Sequence, residues 1–218
     1  MKRAHFVITV ACVLSVCACI SYAREPSITE TDYLIPVDRM FPDYDALLRR
    51  KLFVTPAHFA RVVDLPSGDN EVVLAIYSDG SDSARITYTR PEKRLWGLRS
   101  DKGASVSVVR LDAPFPKALA VSVSAALRHL LDERRPPMKT EIVILDGREI
   151  EFSAPNGRHT ARGVLHNNAR GRKGRSLRHL TDLLQRYCQA KASERHSVSQ
   201  EIATEAQRIV RYPIRRKA

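Results

Sequence analysis

A short basic segment is the first group of residues whose types and spacing suggest chemistry. Arg170, Arg172, Lys173 and Arg175 fall within NNARGRKGR, residues 167–175, which also contains two glycines. Guanidinium groups bind phosphates and carboxylates through paired hydrogen bonds, and glycine leaves backbone N–H groups accessible to an anion. No aromatic residue is interleaved on which a nucleic-acid base would stack. The segment predicts an anion-binding loop that does not bind nucleic acid, with a solvated linker as the alternative.

Candidate catalytic residues are scattered along the chain. His58, Asp79 and the pair Glu149 and Glu151 have side chains that can act as general acids or bases. The sequence contains no Gly-x-Ser-x-Gly elbow, no His-Glu-x-x-His and no phosphate-binding glycine loop. The catalytic residues therefore stay unassigned, and the missing motifs favour a protein without catalytic activity while an enzyme stays open as the alternative.

One short pattern bears on metal binding. Residues 79–83, DGSDS, follow a predicted strand and resemble the metal-ion adhesion site of von Willebrand factor A domains, where a carboxylate and two hydroxyls bind Mg²⁺. That site opens a helix, whereas residues 84–90 alternate as a strand does. Asp-Gly and Ser-Asp also favour turns. We therefore expect a turn here, with no metal and no cofactor.

The N-terminus has the layout of a secretory signal peptide. Lys2 and Arg3 precede an apolar run over residues 6–20, and SYA at residues 21–23 fits a cleavage site. The run is shorter than the about 20 residues that cross a bilayer. We therefore expect residues 1–23 to be removed and the mature chain to be periplasmic or secreted, without a transmembrane helix.

The cysteine content is compatible with the same periplasmic or secreted location. Of the four, only Cys188 lies outside the predicted signal, so the mature chain has no second cysteine for an internal disulfide. Cys188 falls on the apolar stripe of a predicted helix, which indicates a buried and unreactive thiol. Residues 16–19, VCAC, resemble the lipobox of bacterial lipoproteins. Lipidation of Cys19 is therefore an alternative to an unanchored product.

Charge is distributed unevenly. The formal net charge is +12, and residues 154–218 carry 15 Lys and Arg against 4 Asp and Glu. A basic surface attracts anionic partners, although charge can also serve solubility alone. For an exported protein the anions at hand are lipid head groups, lipopolysaccharide and acidic wall polymers. We therefore predict an anionic envelope component or an acidic protein as the partner, with a membrane surface among the alternatives.

The element expected to organise the fold is a hairpin over residues 141–153. Asp146-Gly147 is a favoured type I′ turn, and it lies between two strand-like runs. The resulting register opposes Val143 and Ile150 and separates apolar from acidic side chains. The two faces are Val143, Leu145, Ile150 and Phe152 against Glu149 and Glu151. A lone hairpin is marginally stable, so helices must cover the apolar face.

Periodicity predicts the other elements. Apolar side chains at helical spacing indicate helices over residues 42–53, 55–63, 116–131, 177–188 and 198–211. Runs rich in β-branched residues indicate strands over residues 71–78, 84–90, 93–98 and 105–111. Ser176 is expected to cap its helix, and residues 155–175 are expected to form a long polar loop.

These elements predict one α+β domain over residues 24–192, an antiparallel sheet of about four to six strands with helices packed on one face. A basic C-terminal helix and tail follow at residues 193–218. Together with the charge, the fold predicts an exported, non-catalytic binding or inhibitor-type module for an acidic partner. The alternative is a small envelope hydrolase whose site is assembled from dispersed residues.

Overall fold

The computed structural model of the chain describes residue 34 and residues 41–53, 59–80, 82–98, 105–133, 147–165 and 171–213. The predicted signal peptide, Cys19, His58, Arg170 and the first half of the predicted hairpin, residues 141–146, lie outside the described residues.

A six-stranded antiparallel sheet forms the centre of the fold, which confirms the α+β class. Its strands are β1 Ala60–Pro66, β2 Val72–Ser78, β3 Ala84–Pro91, β4 Val108–Phe115, β5 Arg148–Asn156 and β6 His159–Leu165. Their order in the sheet is β4-β3-β2-β1-β5-β6. The first four strands form a meander, and β5 then adds to the opposite edge of β1.

Helices pack on both faces of the sheet, so the prediction of one covered face is wrong. They are α1 Pro42–Leu52, a 3₁₀ helix Leu95–Leu98, α2 Lys117–Leu131, α3 Arg172–Gln189 and α4 Arg195–Val210. The last three share the main core, whereas α1 and the 3₁₀ helix cover the opposite face. None of the helices in the described part of the chain is long and apolar enough to cross a membrane.

The second covered face follows from the strands themselves. Successive side chains of a strand point to opposite faces. Val62 and Leu74 belong to the main core, whereas their neighbours Val63 and Val73 are buried against α1. Two consecutive apolar residues in each strand therefore require cover on both sides.

The main core contains the described apolar residues of β5 and α2 that periodicity assigned to it. Ile150 and Phe152 of β5 are fully buried, as predicted, and so is the predicted stripe of α2. The thin apolar line of α4 is also buried in this core, against α2 and α3. Its members are Val198, Ile202, Ala206 and Ile209.

Strand β1 replaces the second half of a predicted helix. Residues from 60 onward are extended and hydrogen bonded on both sides, with Val62 opposite Leu74 of β2 and Phe152 of β5. β-branched side chains fit such a surface, and pairing with two neighbours outweighs a weak local helical pattern. The helix predicted from residue 55 is therefore wrong over this part.

The predicted strand at residues 93–98 is wrong, because Leu95–Leu98 form a 3₁₀ helix. The buried carboxylate of Glu71 accepts hydrogen bonds from the backbone N–H groups of Leu95 and Trp96, each at 2.9 Å. The hydroxyl of Tyr44 donates to the same carboxylate at 2.9 Å. A helix start needs such acceptors because its first N–H groups have no partner within the helix. Glu71 therefore holds the 3₁₀ helix against α1.

The predicted partnership of β5 is wrong. Ile150 lies opposite Asp64 of β1 on one side and Leu165 of β6 on the other, so both edges of β5 are occupied there. Both partners of Ile150 therefore differ from the predicted one, Val143, which lies outside the described residues.

The hairpin of this region lies one turn further along the chain. Asn156 is opposite His159, which leaves Gly157 and Arg158 as a two-residue turn. Gly157 has φ of +60°, and a glycine in the first central position is what a type II′ turn requires. The predicted loop over residues 155–175 therefore contains strand β6.

Candidate functional site

An open concavity of about 450 Å³ lies between the start of α3 and the end of α4. Its rim is exposed and basic, with Arg172, Arg175 and His179 from α3 and Arg208 from α4. Its floor is formed by the buried Ser176 and Glu205 and the half-buried Tyr212. We call these seven residues the α3–α4 pocket.

The rim residues of α3 share one helix face. Arg172, Arg175 and His179 are spaced by three and four residues, which stacks their side chains along the helix. The first turn of α3 contains no acidic residue, and its N-cap, Gly171, offers no side-chain acceptor. The positive end of a helix dipole disfavours cations and favours anions. An anion bound at this rim would therefore neutralise the positive charge of the arginines and interact favourably with the positive end of the helix dipole.

The floor combines a hydroxyl pair with a buried acid. Ser176 Oγ and Tyr212 Oη are hydrogen bonded at 2.9 Å, and His129 Nε2 lies 2.8 Å from the Tyr212 carbonyl oxygen. Glu205 is only 2% exposed. Its Oε2 lies 3.0 Å from Arg208 Nη1. The floor therefore contains a buried carboxylate oxygen, Oε1, that has no hydrogen-bond partner among the described residues.

The predicted anion-binding set divides into two parts. Arg172 and Arg175 line the pocket. Lys173 does not, because its Nζ donates to the buried carboxylate of Glu133 after α2 and to the Pro213 carbonyl oxygen at 3.3 Å. Lys173 therefore ties α3 to α2 and to the C-terminal segment.

The local structure of this segment also differs from the prediction. Residues 172–175 form the first turn of α3, not a loop, and Ser176 lies inside the helix, not at its cap. Its hydroxyl is turned to Tyr212 instead of to a free backbone N–H group. The helical form fixes the spacing of the arginines that a loop would leave variable.

Sequence reasoning missed the contribution of α4. Glu205 lies three residues after Ile202, so it falls on the apolar stripe that docks the helix. An acid on such a stripe signals a buried carboxylate. Arg208, three residues further on, is its helical neighbour. This spacing was the available signal for both residues.

Asp79 is not brought to the candidate carboxylates Glu149 and Glu151, which lie two residues apart on β5. Asp79 follows the end of β2 in an exposed turn, 3.7 Å from Arg85 Nη1. Glu151 lies two strands away on β5, buried, with Arg162 Nη2 at 2.7 Å. Its burial corrects the expectation of a solvent-facing acid.

The first and last residues of DGSDS, Asp79 and Ser83, close the turn between β2 and β3 through hydrogen bonds. Ser83 Oγ donates to the Asp79 carbonyl oxygen, and Asp79 N–H donates to the Ser83 carbonyl oxygen at 3.0 Å. Strand β3 begins at the next residue, as predicted. Over the described residues, no group of three or more His, Cys, Asp or Glu side chains could hold a metal ion.

Cys188 lies in the main core, as its place on the α3 stripe predicted. Burial raises the pKa of its thiol to about 12, since the apolar surroundings disfavour a thiolate. The thiolate is the reactive form of cysteine. The thiol is therefore held neutral and out of reach of solvent.

We expect Cys188 to resist a disulfide thiol reagent at pH 8 in the folded protein and to react fully in guanidinium chloride. The comparison is made on the mature protein, in which it is the predicted single cysteine. Rapid reaction without denaturant would show that the thiol is accessible and would contradict its place in the core.

The α3–α4 pocket brings two of the predicted anion-binding residues, Arg172 and Arg175, to a concave surface. Comparison with protein-family models, with curated proteins and with solved structures finds no match for the chain.

Proposed function

We propose that this protein is a non-catalytic binding module of the cell envelope that holds an anionic partner at the α3–α4 pocket. The observation that carries the proposal is the convergence of Arg172, Arg175 and Arg208 around one concavity. The predicted signal peptide supports a location in the cell envelope, and the basic C-terminal third supports a negatively charged partner.

The arginines of the rim are better explained by binding of an anion than by a contribution to the stability of the fold. Exposed ion pairs and exposed charges contribute little to stability. Arginines at the start of α3 are also unfavourable to the helix dipole. Guanidinium groups bind phosphate and carboxylate oxygens through two parallel hydrogen bonds. A bound anion would relieve this unfavourable interaction between the arginines and the helix dipole. Local destabilisation of this kind is typical of functional surfaces.

The test is binding of the mature protein to vesicles of phosphatidylglycerol in phosphatidylcholine. We expect affinity to fall steeply as salt rises, because exposed charges are screened within about 8 Å at physiological ionic strength. The double variant Arg172→Gln with Arg175→Gln should bind roughly 30-fold more weakly at low salt, since each cation near an anionic surface contributes about 1 kcal/mol.

The matched control is Arg50→Gln with Lys191→Gln, which removes the same charge from exposed positions on α1 and after α3. It should retain most of the affinity. An equal loss in both double variants would show that net charge, and not the α3–α4 pocket, governs binding. No vesicle binding by the parent at low salt would refute the proposal.

A further inference from the structure

Strand β4 is an edge of the sheet in the described part of the chain, where it pairs with β3 and with no second strand. Its centre is open to solvent: Val109 is 43% exposed, Arg110 and Asp112 are exposed, and Leu111 is half-buried. The backbone groups on the outer side of an edge strand can pair with another strand. Natural edges are usually protected, so an exposed valine next to charges of both signs is unusual for an edge that stays unpaired.

Two prolines show which backbone groups of β4 point outward. Pro91 of β3 lies opposite Val108, and Pro114 of β4 lies opposite Arg85. Proline has no backbone N–H, so neither of these pairs can exchange two hydrogen bonds. Hydrogen-bonded and non-hydrogen-bonded pairs alternate along antiparallel strands, so the even-numbered residues of β4 direct their N–H and C=O groups away from β3. The hydroxyl of Tyr187 donates to the Pro114 carbonyl oxygen at 2.8 Å, which agrees with that direction and limits further pairing to the residues before it.

The charges of β4 distinguish the registers in which a second copy of the strand could pair with it. The side chains of Arg110 and Asp112 lie on one face, where Arg110 Nε donates to Asp112 Oδ2 at 2.8 Å. In an antiparallel pair centred on residue 110 or 112, two like charges would be opposite each other, which is destabilising. In the pair centred on Leu111, the Arg110 of each copy lies opposite the Asp112 of the other. Within β4, this is the only register that opposes a cation to an anion, so the charge pattern fits a second copy of the same strand.

We propose that two copies of this chain associate through their β4 strands, antiparallel and centred on Leu111. The two six-stranded sheets then form one continuous sheet. Arg110 and Asp112 of the two copies form two hydrogen-bonded pairs, each of which exchanges both N–H···O=C bonds. On the core-facing side of the strand, Leu111 meets Leu111 of the second copy, and Val109 meets Ala113. The contact is small, so we expect a reversible dimer, which is independent of the anion binding proposed above.

The test is sedimentation equilibrium of the mature protein over the micromolar to millimolar range. We expect the average mass to rise with concentration from that of a monomer to that of a dimer. Arg110→Asp should weaken the dimer roughly tenfold, because each introduced carboxylate lies opposite an Asp112 of the other copy and the contact occurs twice. Arg110→Asp combined with Asp112→Arg restores the alternation of charge, so its dissociation constant should lie within about threefold of the parent value.

The matched control is Arg158→Asp, which makes the same change of charge in the exposed turn between β5 and β6, at the opposite side of the sheet from β4. It should leave dimerisation unchanged. Equal weakening by Arg110→Asp and Arg158→Asp would show that net charge governs association and would overturn the proposed interface. A parent protein that stays monomeric at every concentration would also overturn it and would leave the edge to a strand of another protein.

Cysteine cross-linking tests the register without changing the charges. Leu111 of the two copies would form a non-hydrogen-bonded pair with Cα atoms about 4.5 Å apart, which suits a disulfide. Leu111→Cys should therefore form a covalent dimer under mild oxidation, whereas the buried Cys188 should not react. Val109→Cys alters a more exposed position, yet its two thiols would lie on residues about 14 Å apart and should not cross-link. Cross-linking of Val109→Cys as readily as Leu111→Cys, or of neither variant, would overturn the register. This comparison still decides if Arg110→Asp fails to fold.

Discussion

Replacing Leu127 with alanine is expected to lower the free energy of unfolding by roughly 2 to 5 kcal/mol, the range for truncating a buried leucine. Leu127 is fully buried on α2, within the core that the sheet shares with α3 and α4. The loss combines the transfer free energy of the removed carbons with the cavity that remains. Urea or guanidinium chloride unfolding of both proteins, with the slope checked for constancy, measures the difference.

The control for Leu127 lies on the same helix. Val121 is 47% exposed, so Val121→Ala should change the free energy of unfolding by no more than about 0.5 kcal/mol. If the two substitutions had the same effect, α2 would not be docked through the face described. The companion residue expected in the core, Val143, lies outside the described residues.

Replacing Lys173 with glutamine is expected to destabilise the protein by roughly 3 to 5 kcal/mol, because it removes the cation that neutralises the buried Glu133 carboxylate. The side chains of Lys173 and Glu133 are only 12% and 4% exposed. Arg175→Gln, two residues along α3 on the exposed rim, should cost no more than about 0.5 kcal/mol. Denaturant midpoints of the two variants measure the contrast.

A double variant tests the cause of that loss. Lys173→Met combined with Glu133→Gln removes both charges, so it should recover a large part of the stability lost by Lys173→Gln. Lys173→Gln with an unchanged midpoint would mean that the ion pair is solvated and that α3 is not tied to α2 in this way. Binding experiments that neutralise Lys173 together with the arginines would therefore confuse stability with affinity.

Amphipathic helices were the elements most accessible to sequence reasoning. The stripe of α2, with Leu119, Val123 and Leu127, repeats every three or four residues, and that spacing depends on helix geometry alone. The buried line of α3 that includes Leu180 and Leu184 was predicted for the same reason, although the helix begins earlier than Ser176. Such patterns are local, so no knowledge of the rest of the chain is needed.

Strand partners were less accessible. The Asp146-Gly147 and Asn156-Gly157 dipeptides both favour a hairpin turn, and the sequence offers no means to rank them. β5 joins β1, which is more than eighty residues earlier in the chain, and β6, which follows the second dipeptide. A strand can pair with only one strand on each side. Because β1 and β6 occupy both sides of β5, the hairpin that Asp146-Gly147 favours is not available to it.

The candidate site was likewise only partly accessible to sequence reasoning. The basic cluster containing Arg172 and Arg175 was evident from its composition. The direction of each side chain was not, because successive residues of a helix are rotated by about 100°, so Lys173 turns towards Glu133 while its neighbour lines the pocket. Glu205 and Arg208 enter the site from α4, and no local pattern relates them to α3.

The sequence by itself determined the helical stripes, the strands β2 and β3 with the turn between them, the α+β class and the concentration of positive charge in the last third. Each of these follows from side-chain periodicity or composition over a few residues. Only the tertiary structure decided the place of β1 and β5 within the sheet, the cover on its second face, and which cations surround Glu205. These features depend on contacts between residues far apart in the chain, whose free energy is gained only when the whole core assembles.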